Sequence, residues 1–322
     1  MRRTEATIRS LGVLALALFL LQSSKADAGP NWVVAIDRPV AIAGIAPLER
    51  WAQVLSSLSG GDLALSLERQ AESVSARRIK SEVRSGRYAC GVIDVGALSR
   101  EGAIYGAAEI PFLTTDEHDL ARLFDRWRPM LERRLAEDGL KLVMLLPGAP
   151  RGLLAPPGIR RIGDLAALSV VAPGAAGARL IELIGAHPAT EQADAAFVSL
   201  AEARRRPRQL PRPVLMPLEG WRGAVAVVCG AALIDALPTP ERAEMLAAAL
   251  DIEDAAWQPV GADEAELRAD APAGDGETIE VVAPARGLVT GLARIGAQMA
   301  REWAIGAGAD GMELIAGFDQ PN

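Results

Sequence analysis

The sequence is poor in the side chains with which enzymes usually perform nucleophilic or metal-assisted chemistry. It contains only two cysteines, Cys90 and Cys229, and two histidines, and no Cys/His group has the spacing of metal ligands. A G-x-S-x-G nucleophile elbow, a P-loop and a G-x-G-x-x-G turn after a strand are all missing. We therefore expect no catalytic residue, no metal site and no cofactor, in a protein that is not an enzyme.

Neither histidine lies in a context that favours catalysis. His118 is near the start of a polar helix and is interpreted as a solvated surface residue. His187 precedes Pro188 at the end of a helix, where a role in the turn is favoured over a role as general base.

Long apolar runs are absent except at the N-terminus, where residues 11–21 follow arginines at positions 2, 3 and 9. This run is too short for a membrane anchor, because a helix needs about 20 apolar residues to cross roughly 30 Å of hydrocarbon. Small residues at positions 26 and 28 provide a signal-peptidase site. We predict that residues 1–28 are a cleaved signal peptide and that the mature protein is periplasmic.

The chain also lacks an excess of positive charge. Residues 1–28 carry four Lys or Arg and two Asp or Glu, so their removal changes the net charge from −7 to −9. An acidic protein gains no Coulombic attraction to phosphate backbones, which argues against a nucleic-acid partner. The 294 residues that remain are enough for two lobes.

Both cysteines lie within apolar, strand-like runs, YACGVIDV and VAVVCGAAL. A cysteine in such a run usually acts as a small buried hydrophobe, although export to an oxidising compartment would permit a disulfide. Two free buried thiols are the favoured interpretation, and a disulfide is the alternative.

Strand-like and helix-like segments alternate along the mature chain. Strands are predicted at residues 32–37, 63–68 and 88–95, separated by helices over 48–58 and 73–85. Further helices are predicted over 116–138, 178–184, 239–250 and 289–305, and further strands over 141–146, 152–155, 169–172 and 225–229. This alternation predicts an α/β fold whose first strands are parallel.

One segment departs from the alternation. Residues 204–213 read RRRPRQLPRP, and this richness in arginine and proline predicts an irregular surface segment. A solvated face is the favoured interpretation, and a docking patch for a partner protein is the alternative.

Several short motifs stand in the order found in a known family of binding proteins. They are WAQVLSSLSGGDLALSL (51–67), VRSGRYACGVIDVGALSREGAIYGAAEIPFL (83–113), VVAPGAAGARLIELIGAHPAT (170–190) and LPTPERAEMLAAAL (237–250). In this order, over residues 32–250, the chain resembles the DctP-type extracytoplasmic solute-binding proteins of tripartite ATP-independent periplasmic (TRAP) transporters. Each motif is weakly specific alone, and their order carries the resemblance.

The resemblance implies a two-lobed, periplasmic-binding-protein-like α/β fold with mixed sheets, a hinge and a ligand in the interlobe cleft. Residues 29–150 and roughly 225–265 would form lobe 1; residues 151–224 and roughly 278–318 would form lobe 2 and the C-terminal helix. The implied partners are a small-molecule ligand and the membrane permease subunits of a TRAP transporter. Ligands of α/β folds do bind beyond the carboxyl ends of strands, and their binding can close a hinge.

Five residues are candidates for the cleft. The family usually has an arginine in the strand before a Val-Pro pair, where it binds a ligand carboxylate through two parallel hydrogen bonds; this chain has Val171 there. Arg151 matches a second cleft arginine of many members. Glu219 and Trp221 would replace the family's acidic and aromatic cleft residues, and Tyr105 would line the cleft from the first lobe. The alternatives are an exposed surface position for Arg151 and Tyr105, and core packing for Trp221.

These residues favour a periplasmic solute-binding protein that delivers a small organic acid to a permease. Because Val171 cannot bind a carboxylate, we expect a monocarboxylate held by Arg151, or a less charged ligand, rather than a C4-dicarboxylate. The alternative is an orphan ligand-binding or sensory module on the same fold, which docks onto a partner through residues 204–212. An exported enzyme is the third and least favoured hypothesis.

Overall fold

The structure is a computed structural model that describes residues 31–36, 46–59, 61, 64–69, 74–114, 116–190, 192–205, 213–257, 271–272 and 278–318. The predicted signal peptide (1–28) and most of the arginine-rich segment (206–212) lie outside these residues. Within them, no helix is both long enough and apolar enough to cross a membrane.

Alternating strands and helices form the first part of the fold. The elements are β1 (Asn31–Ile36), α1 (Ala46–Leu58), β2 (Ala64–Arg69), α2 (Ala76–Arg84) and β3 (Cys90–Asp94). As the alternation predicted, β1 pairs in parallel with both β2 and β3. Two 3₁₀ segments, Gly96–Leu98 and Ala103–Glu109, then lead to α3 (Glu117–Ala136).

Several elements of the second part of the chain pack against the first part, among them the long strand Val214–Gly230 and the helix Arg286–Ala316. Its elements are β4 (Leu140–Ala155), a 3₁₀ turn (Ile162–Asp164), β5 (Ser169–Val171), α4 (Gly174–Ile184), β6 (His187–Pro188), β7 (Ala195–Ser199), α5 (Leu200–Arg205), β8 (Val214–Gly230), α6 (Ala231–Asp235), α7 (Thr239–Trp257), β9 (Ala271–Pro272), β10 (Thr278–Val281) and α8 (Arg286–Ala316).

Side-chain caps and glycines set several of these boundaries. The carboxylate of Asp116 accepts a hydrogen bond from Asp119 N at 2.8 Å and so caps α3. Ser75 caps α2 in the same way, through a bond from Arg78 N at 3.3 Å. Gly185 ends α4 in the left-handed conformation, with φ of 77°, where a side chain would be strained.

Two long strands connect the lobes. The strand order is β2-β1-β3-β8-β4-β7-β5-β6, with β4 and β8 antiparallel over nearly their whole length. The prediction of separate strands at 141–146 and 152–155 was wrong, since both belong to β4. The predicted strand at 225–229 is likewise only the end of β8. The register between β4 and β8 shifts between Pro147 and Gly152, where the pair passes from one lobe to the other.

Buried apolar side chains fall into cores on either side of this crossing. One side packs α1, α2, α3 and α7 against β1, β3, the start of β4 and the end of β8. The other packs α4 and the start of α8 against β5, β7, the end of β4 and the start of β8. The result is a mixed α/β fold of two lobes, as expected.

Helix α8 contacts both lobes. Leu288 and Leu292 are buried in the second core, and Leu314 is buried in the first. Gly308 has non-helical angles (φ 69°, ψ −142°) and bends the helix between these two parts. Trp303 Nε1 donates a hydrogen bond to Ala103 O at 2.7 Å, which anchors the helix beside the 3₁₀ segment of lobe 1.

The cysteines form a disulfide, so the expectation of two free thiols was wrong. Cys90 of β3 and Cys229 of β8 are directly opposite each other in an antiparallel pair, with Cα atoms 4.0 Å apart. Both are fully buried in the core of lobe 1. Their apolar surroundings were predicted correctly, but the pairing depends on the β3–β8 register, which sequence patterns do not reveal.

Candidate ligand-binding cleft

A cavity of about 300 Å³ opens where the two lobes and the crossing strands meet. Lobe 1 contributes the end of β3 and both 3₁₀ segments, lobe 2 contributes β7, α5 and the start of α4, and β4 and β8 form the floor. The lining residues are Asp94, Gly96, Ala97, Glu109, Gly148, Ala149, Arg151, Pro173, Gly174, Ser199, Glu202, Gly223, Ala224 and Val225. A cavity of this size, walled by both lobes, suits a small metabolite.

Arg151 is the cation in this lining. It lies in β4 within the last register shift, between Pro150 and Gly152, directly opposite Ser199 of β7, and its side chain is 11% exposed. Its guanidinium carbon lies 5.7 Å from the ring centre of Trp221, and this cation–π contact fixes the side chain from the core side. Nε is buried and donates no hydrogen bond to any described residue, so the guanidinium retains hydrogen-bonding capacity.

Among the described residues, Glu109 is the carboxylate that forms an ion pair with Arg151. It is the last residue of the second 3₁₀ segment, and its side chain is 8% exposed. Oε2 lies 3.7 Å from Arg151 Nη2, which is an ion-pair distance but too long for a hydrogen bond. Oε1 is buried, with no hydrogen-bond donor among the described residues. Burial without donors disfavours the ionised form; it raises the pKa of Glu109 to about 7, although Arg151 acts in the opposite direction.

Two glycines make room for this carboxyl group. A Cβ atom on Gly96 would lie 2.3 Å from Glu109 Cγ, and one on Gly223 would lie 2.4 Å from Oε1. Any larger residue at either position would therefore displace Glu109. The same Gly223 Cβ would lie 3.5 Å from Arg151 Nη2, so this glycine accommodates both members of the pair.

Two further carboxylates line the cavity, each with backbone donors of its own. Asp94 Oδ1 accepts a hydrogen bond from Gly96 N at 2.9 Å, although burial raises the pKa of Asp94 above its usual value. Glu202 Oε2 accepts from Ser199 N at 2.8 Å and from Ser199 Oγ at 3.0 Å. The described lining thus holds one guanidinium and three carboxyl groups, of which Glu109 is the one without a backbone donor.

A second cavity, of about 280 Å³, adjoins the first and shares Gly96, Glu109 and Gly174 with it. It lies between the 3₁₀ segment of lobe 1 and the α4 and α8 helices of lobe 2. The charged residues on its far side are Arg179 and Glu302, which form two hydrogen bonds of 2.8 and 2.9 Å with each other. Glu109 therefore lines both of these neighbouring interlobe cavities.

Three of the candidate residues lie away from the lining. Tyr105 is 1% exposed and belongs to the core of lobe 1, with Lys80 Nζ 5.2 Å from its ring centre. Trp221 is fully buried in the core of lobe 2, where it packs on Phe197 and supports Arg151 from behind. Val171 is half-buried against the core of lobe 2, two residues before the lining residue Pro173. Apolar burial explains all three positions.

The side chain of Glu219 lies outside the described residues, although its backbone belongs to β8. The acidic neighbour of Arg151 in the described cleft is instead Glu109. Both histidines are exposed, which agrees with the surface position expected for His118, whereas His187, expected in a turn, begins the two-residue strand β6. Within the described residues, no group of three His, Cys, Asp or Glu side chains could hold a metal ion.

Five features of the lining were not predicted from the sequence: Asp94, Glu109, Ser199, Glu202 and the glycines around them. Two signals could have indicated the acids. Asp94 ends a buried parallel strand and is followed by Gly96, and the carboxyl ends of such strands commonly face ligands. Glu109 is the only charged residue in the apolar stretch 102–113. Ser199 and Glu202 carried no distinctive pattern.

The chain matches no protein-family model and no curated protein sequence. Its fold does match solved structures. The DctP6 receptor of Bordetella pertussis, an extracytoplasmic solute receptor that binds pyroglutamic acid, is 24% identical with a TM-score of 0.77, over 90% of this chain and 99% of that one. The DctP7 receptor of the same organism also binds pyroglutamic acid. It is 23% identical with a TM-score of 0.77, and the match covers 91% of this chain and 100% of that one.

A TRAP solute-binding protein from an unidentified marine microbe was solved with co-purified pyroglutamate. It is 17% identical with a TM-score of 0.76, and the match covers 90% of this chain and 98% of that one. At these identities the likeness concerns the fold. The chain has the fold of the TRAP extracytoplasmic solute receptors, in agreement with the resemblance found in its motifs.

Proposed function

We propose that this protein is a divergent periplasmic solute-binding protein of a TRAP transporter, and that it captures a small monocarboxylate in the interlobe cleft. The observation that carries the proposal is Arg151, a mostly buried guanidinium with an unpartnered Nε, in a cavity lined by both lobes.

A ligand in this position can stabilise a closed form of the protein. A binding protein gains closure energy only from a ligand with different affinities for the open and closed forms, and this requires contacts with both lobes. The lining supplies them, because Asp94 and Glu109 belong to lobe 1 whereas Pro173, Gly174 and Ser199 belong to lobe 2.

Arg151 favours a carboxylate as its ligand group. The planar guanidinium matches a carboxylate through two parallel hydrogen bonds, which are stronger than bonds between neutral groups. Val171, which takes the place of the arginine usual in the family, is apolar and packs against the core. The described lining therefore offers one cation, which suits one carboxylate.

The neighbouring structures supply a first compound to test. Three of them were solved as receptors for pyroglutamate, which is a small monocarboxylate with a ring amide. Delivery to a membrane permease, export to the periplasm and absence of enzymatic activity are parts of the same proposal. The alternative, an orphan module that docks onto a partner protein, depends on the arginine-rich segment. Most of that segment, residues 206–212, lies outside the described residues, and nothing within them favours this alternative.

The test is a binding screen of the exported protein, purified after expression of the full-length chain. The panel contains pyroglutamate, other monocarboxylates, dicarboxylates, sugar acids and neutral metabolites. A ligand at about 100 times its dissociation constant should add roughly 2.7 kcal/mol of stability. We expect a thermal shift confined to monocarboxylates, and its loss in Arg151→Ala.

The matched control is Arg161→Ala, which removes an arginine that is 80% exposed and pairs with Asp164 at the surface. This variant should keep the full ligand-dependent shift. Binding that survives Arg151→Ala, or a screen in which no monocarboxylate binds, contradicts the proposal.

A further inference from the structure

The cleft contains more negative charge than a site for simple organic anions needs. Three carboxyl groups, those of Asp94, Glu109 and Glu202, share the described lining with one guanidinium, that of Arg151. In the adjoining part of the cleft, the charges of Arg179 and Glu302 are already paired with each other. A ligand with two carboxylates would meet one available cation and several acidic groups of its own charge sign, and like charges repel one another.

The three acids are not equivalent. Asp94 already accepts a hydrogen bond from Gly96 N, and Glu202 accepts two from Ser199, so these acids are held by their own chain. Glu109 has no such donor in the described part of the chain: Oε1 is buried and unpartnered there, and Oε2 is separated from Arg151 Nη2 by 3.7 Å. A buried carboxylate without donors is stabilised by any N–H group that a ligand brings to it.

The short distance between Arg151 and Glu109 limits how far the N–H group can be from the carboxylate of the ligand. Because Arg151 Nη2 and Glu109 Oε2 are only 3.7 Å apart, we expect a ligand carboxylate bound to the guanidinium to have its adjacent carbon nearest to Glu109. An N–H group on that carbon would be better placed to donate to Oε2 than an N–H group on a more distant atom. This is the arrangement found in α-amino acids and in their cyclic amides.

We propose that Glu109 is a specificity-determining residue: among small monocarboxylates it selects those with an N–H group on the carbon next to the carboxylate, and it rejects a second carboxylate. This inference rests on the proposed function, because it assumes that a carboxylate binds at Arg151.

The raised pKa of Glu109, about 7, adds a signature that a purely structural residue would lack. Above pH 7 the ionised carboxyl group accepts an N–H bond, whereas below it the protonated group can donate to a ligand oxygen. The groups facing Glu109 are Arg151 from β4, Asp94 from β3 and Glu202 from α5, and burial raises the pKa of Asp94 as well.

The experiment uses two pairs of ligands that differ by one atom. Pyroglutamate is compared with 5-oxotetrahydrofuran-2-carboxylate, and proline with tetrahydrofuran-2-carboxylate; in each pair a ring oxygen replaces the N–H. The first pair tests an amide N–H and the second an ammonium N–H, and succinate tests a second carboxylate. Affinities are measured by calorimetry at pH 6 and pH 8.

For the wild-type protein at pH 8, we expect the N–H member of at least one pair to bind at least ten times more tightly than its oxygen analogue. The ratio should be smaller at pH 6, and succinate should bind at least tenfold more weakly than the preferred compound. In Glu109→Gln, the ratio should fall below threefold and lose its pH dependence, and binding of succinate should tighten.

Glu202→Gln is the matched variant, since it removes one negative charge from the same cavity but not the unpartnered acceptor. It should tighten the binding of all the carboxylates about equally and leave the N–H/oxygen ratio unchanged. Thermal melts confirm that both variants are folded.

The inference is overturned if Glu109→Gln keeps the wild-type ratios, or if Glu202→Gln abolishes them to the same extent. Monocarboxylate binding that depends on Arg151 but shows no N–H preference leaves the proposed function intact and removes only this inference. If no monocarboxylate binds, both fail.

Discussion

Arg151 of the crossing strand β4 and Glu109 at the end of a lobe 1 3₁₀ segment face each other across 3.7 Å, both about nine-tenths buried. The pair stands where the two lobes meet, at a distance that is too long for a hydrogen bond. Each residue keeps a buried atom without a hydrogen-bond partner among the described residues, Nε of Arg151 and Oε1 of Glu109. An arrangement with unused hydrogen-bonding capacity on both charges is suited to receive a third group.

Replacing Arg151 by lysine keeps the positive charge but removes the planar fork. We expect Arg151→Lys to weaken binding of the preferred carboxylate by roughly tenfold to a hundredfold, because one charge-assisted hydrogen bond contributes about 1.5–3 kcal/mol. Calorimetric titration measures the change. Affinity equal to the wild type would show that the charge alone holds the ligand.

Replacing Gly223 by alanine tests the space beside the pair. The new Cβ would lie 2.4 Å from Glu109 Oε1, so the carboxyl group has to move. We expect a loss of stability of about 1–3 kcal/mol and at least tenfold weaker ligand binding. Gly163→Ala is the control, since its Cβ meets nothing within 4 Å. Urea unfolding and ligand titration of both variants check the prediction, and equal behaviour of the two contradicts it.

The pKa of Glu109 makes the stability of the folded protein depend on pH. Burial raises this pKa from 4.5 to about 7, so between these values the folded protein binds more protons than the unfolded chain. The free energy of unfolding therefore decreases as pH rises from about 4.5 to about 7, by roughly 3 kcal/mol for a shift of this size. Burial of Asp94 raises its pKa too and acts in the same direction.

Glu109→Gln removes the titrating group. Urea unfolding at pH 5, 6 and 7 should show that the difference in stability, variant minus wild type, becomes more positive with increasing pH. A difference that stays constant over this range would mean that Glu109 titrates normally.

The disulfide between Cys90 and Cys229 should contribute a large part of the stability of the oxidised protein. It joins residues separated by 139 positions, and closing so long a loop restricts the unfolded chain strongly. We expect the Cys90→Ala/Cys229→Ala double variant, and the reduced wild type, to lose about 2–5 kcal/mol. Guanidinium unfolding with and without reductant measures this loss, and thiol labelling of the unfolded, unreduced chain should detect no free cysteine.

The sequence predicted the pattern of this fold better than its connections. Apolar periodicity gave the parallel β1–β3 layer and the main helices, because these depend on side chains close together in sequence. The same patterns broke β4 into two strands, because Pro147, Gly148 and Pro150 usually end a strand. Here they lie at the irregular crossing between the lobes, where the pairing tolerates them.

Arg151 could be singled out from the sequence because the order of motifs resembles that of a known family. Its neighbours could not, since Asp94, Glu109 and Glu202 come from three distant elements that only the sheet order brings together. Trp221 was a candidate as a replacement for the family's aromatic cleft residue and Tyr105 as a cleft residue of the first lobe, yet both lie in cores. An aromatic side chain gives the same sequence signal in either place.

The sequence by itself determined the alternation of strands and helices, the acidity of the chain and the apolar setting of its cysteines, since each of these is a property of composition or local spacing. The tertiary structure decided which residues meet: Cys90 with Cys229, and Arg151 with Glu109. These contacts depend on the register of β8 against β3 and β4 and on the packing of the two lobes. Register and packing are determined by many distant residues of the core together, and not by local sequence.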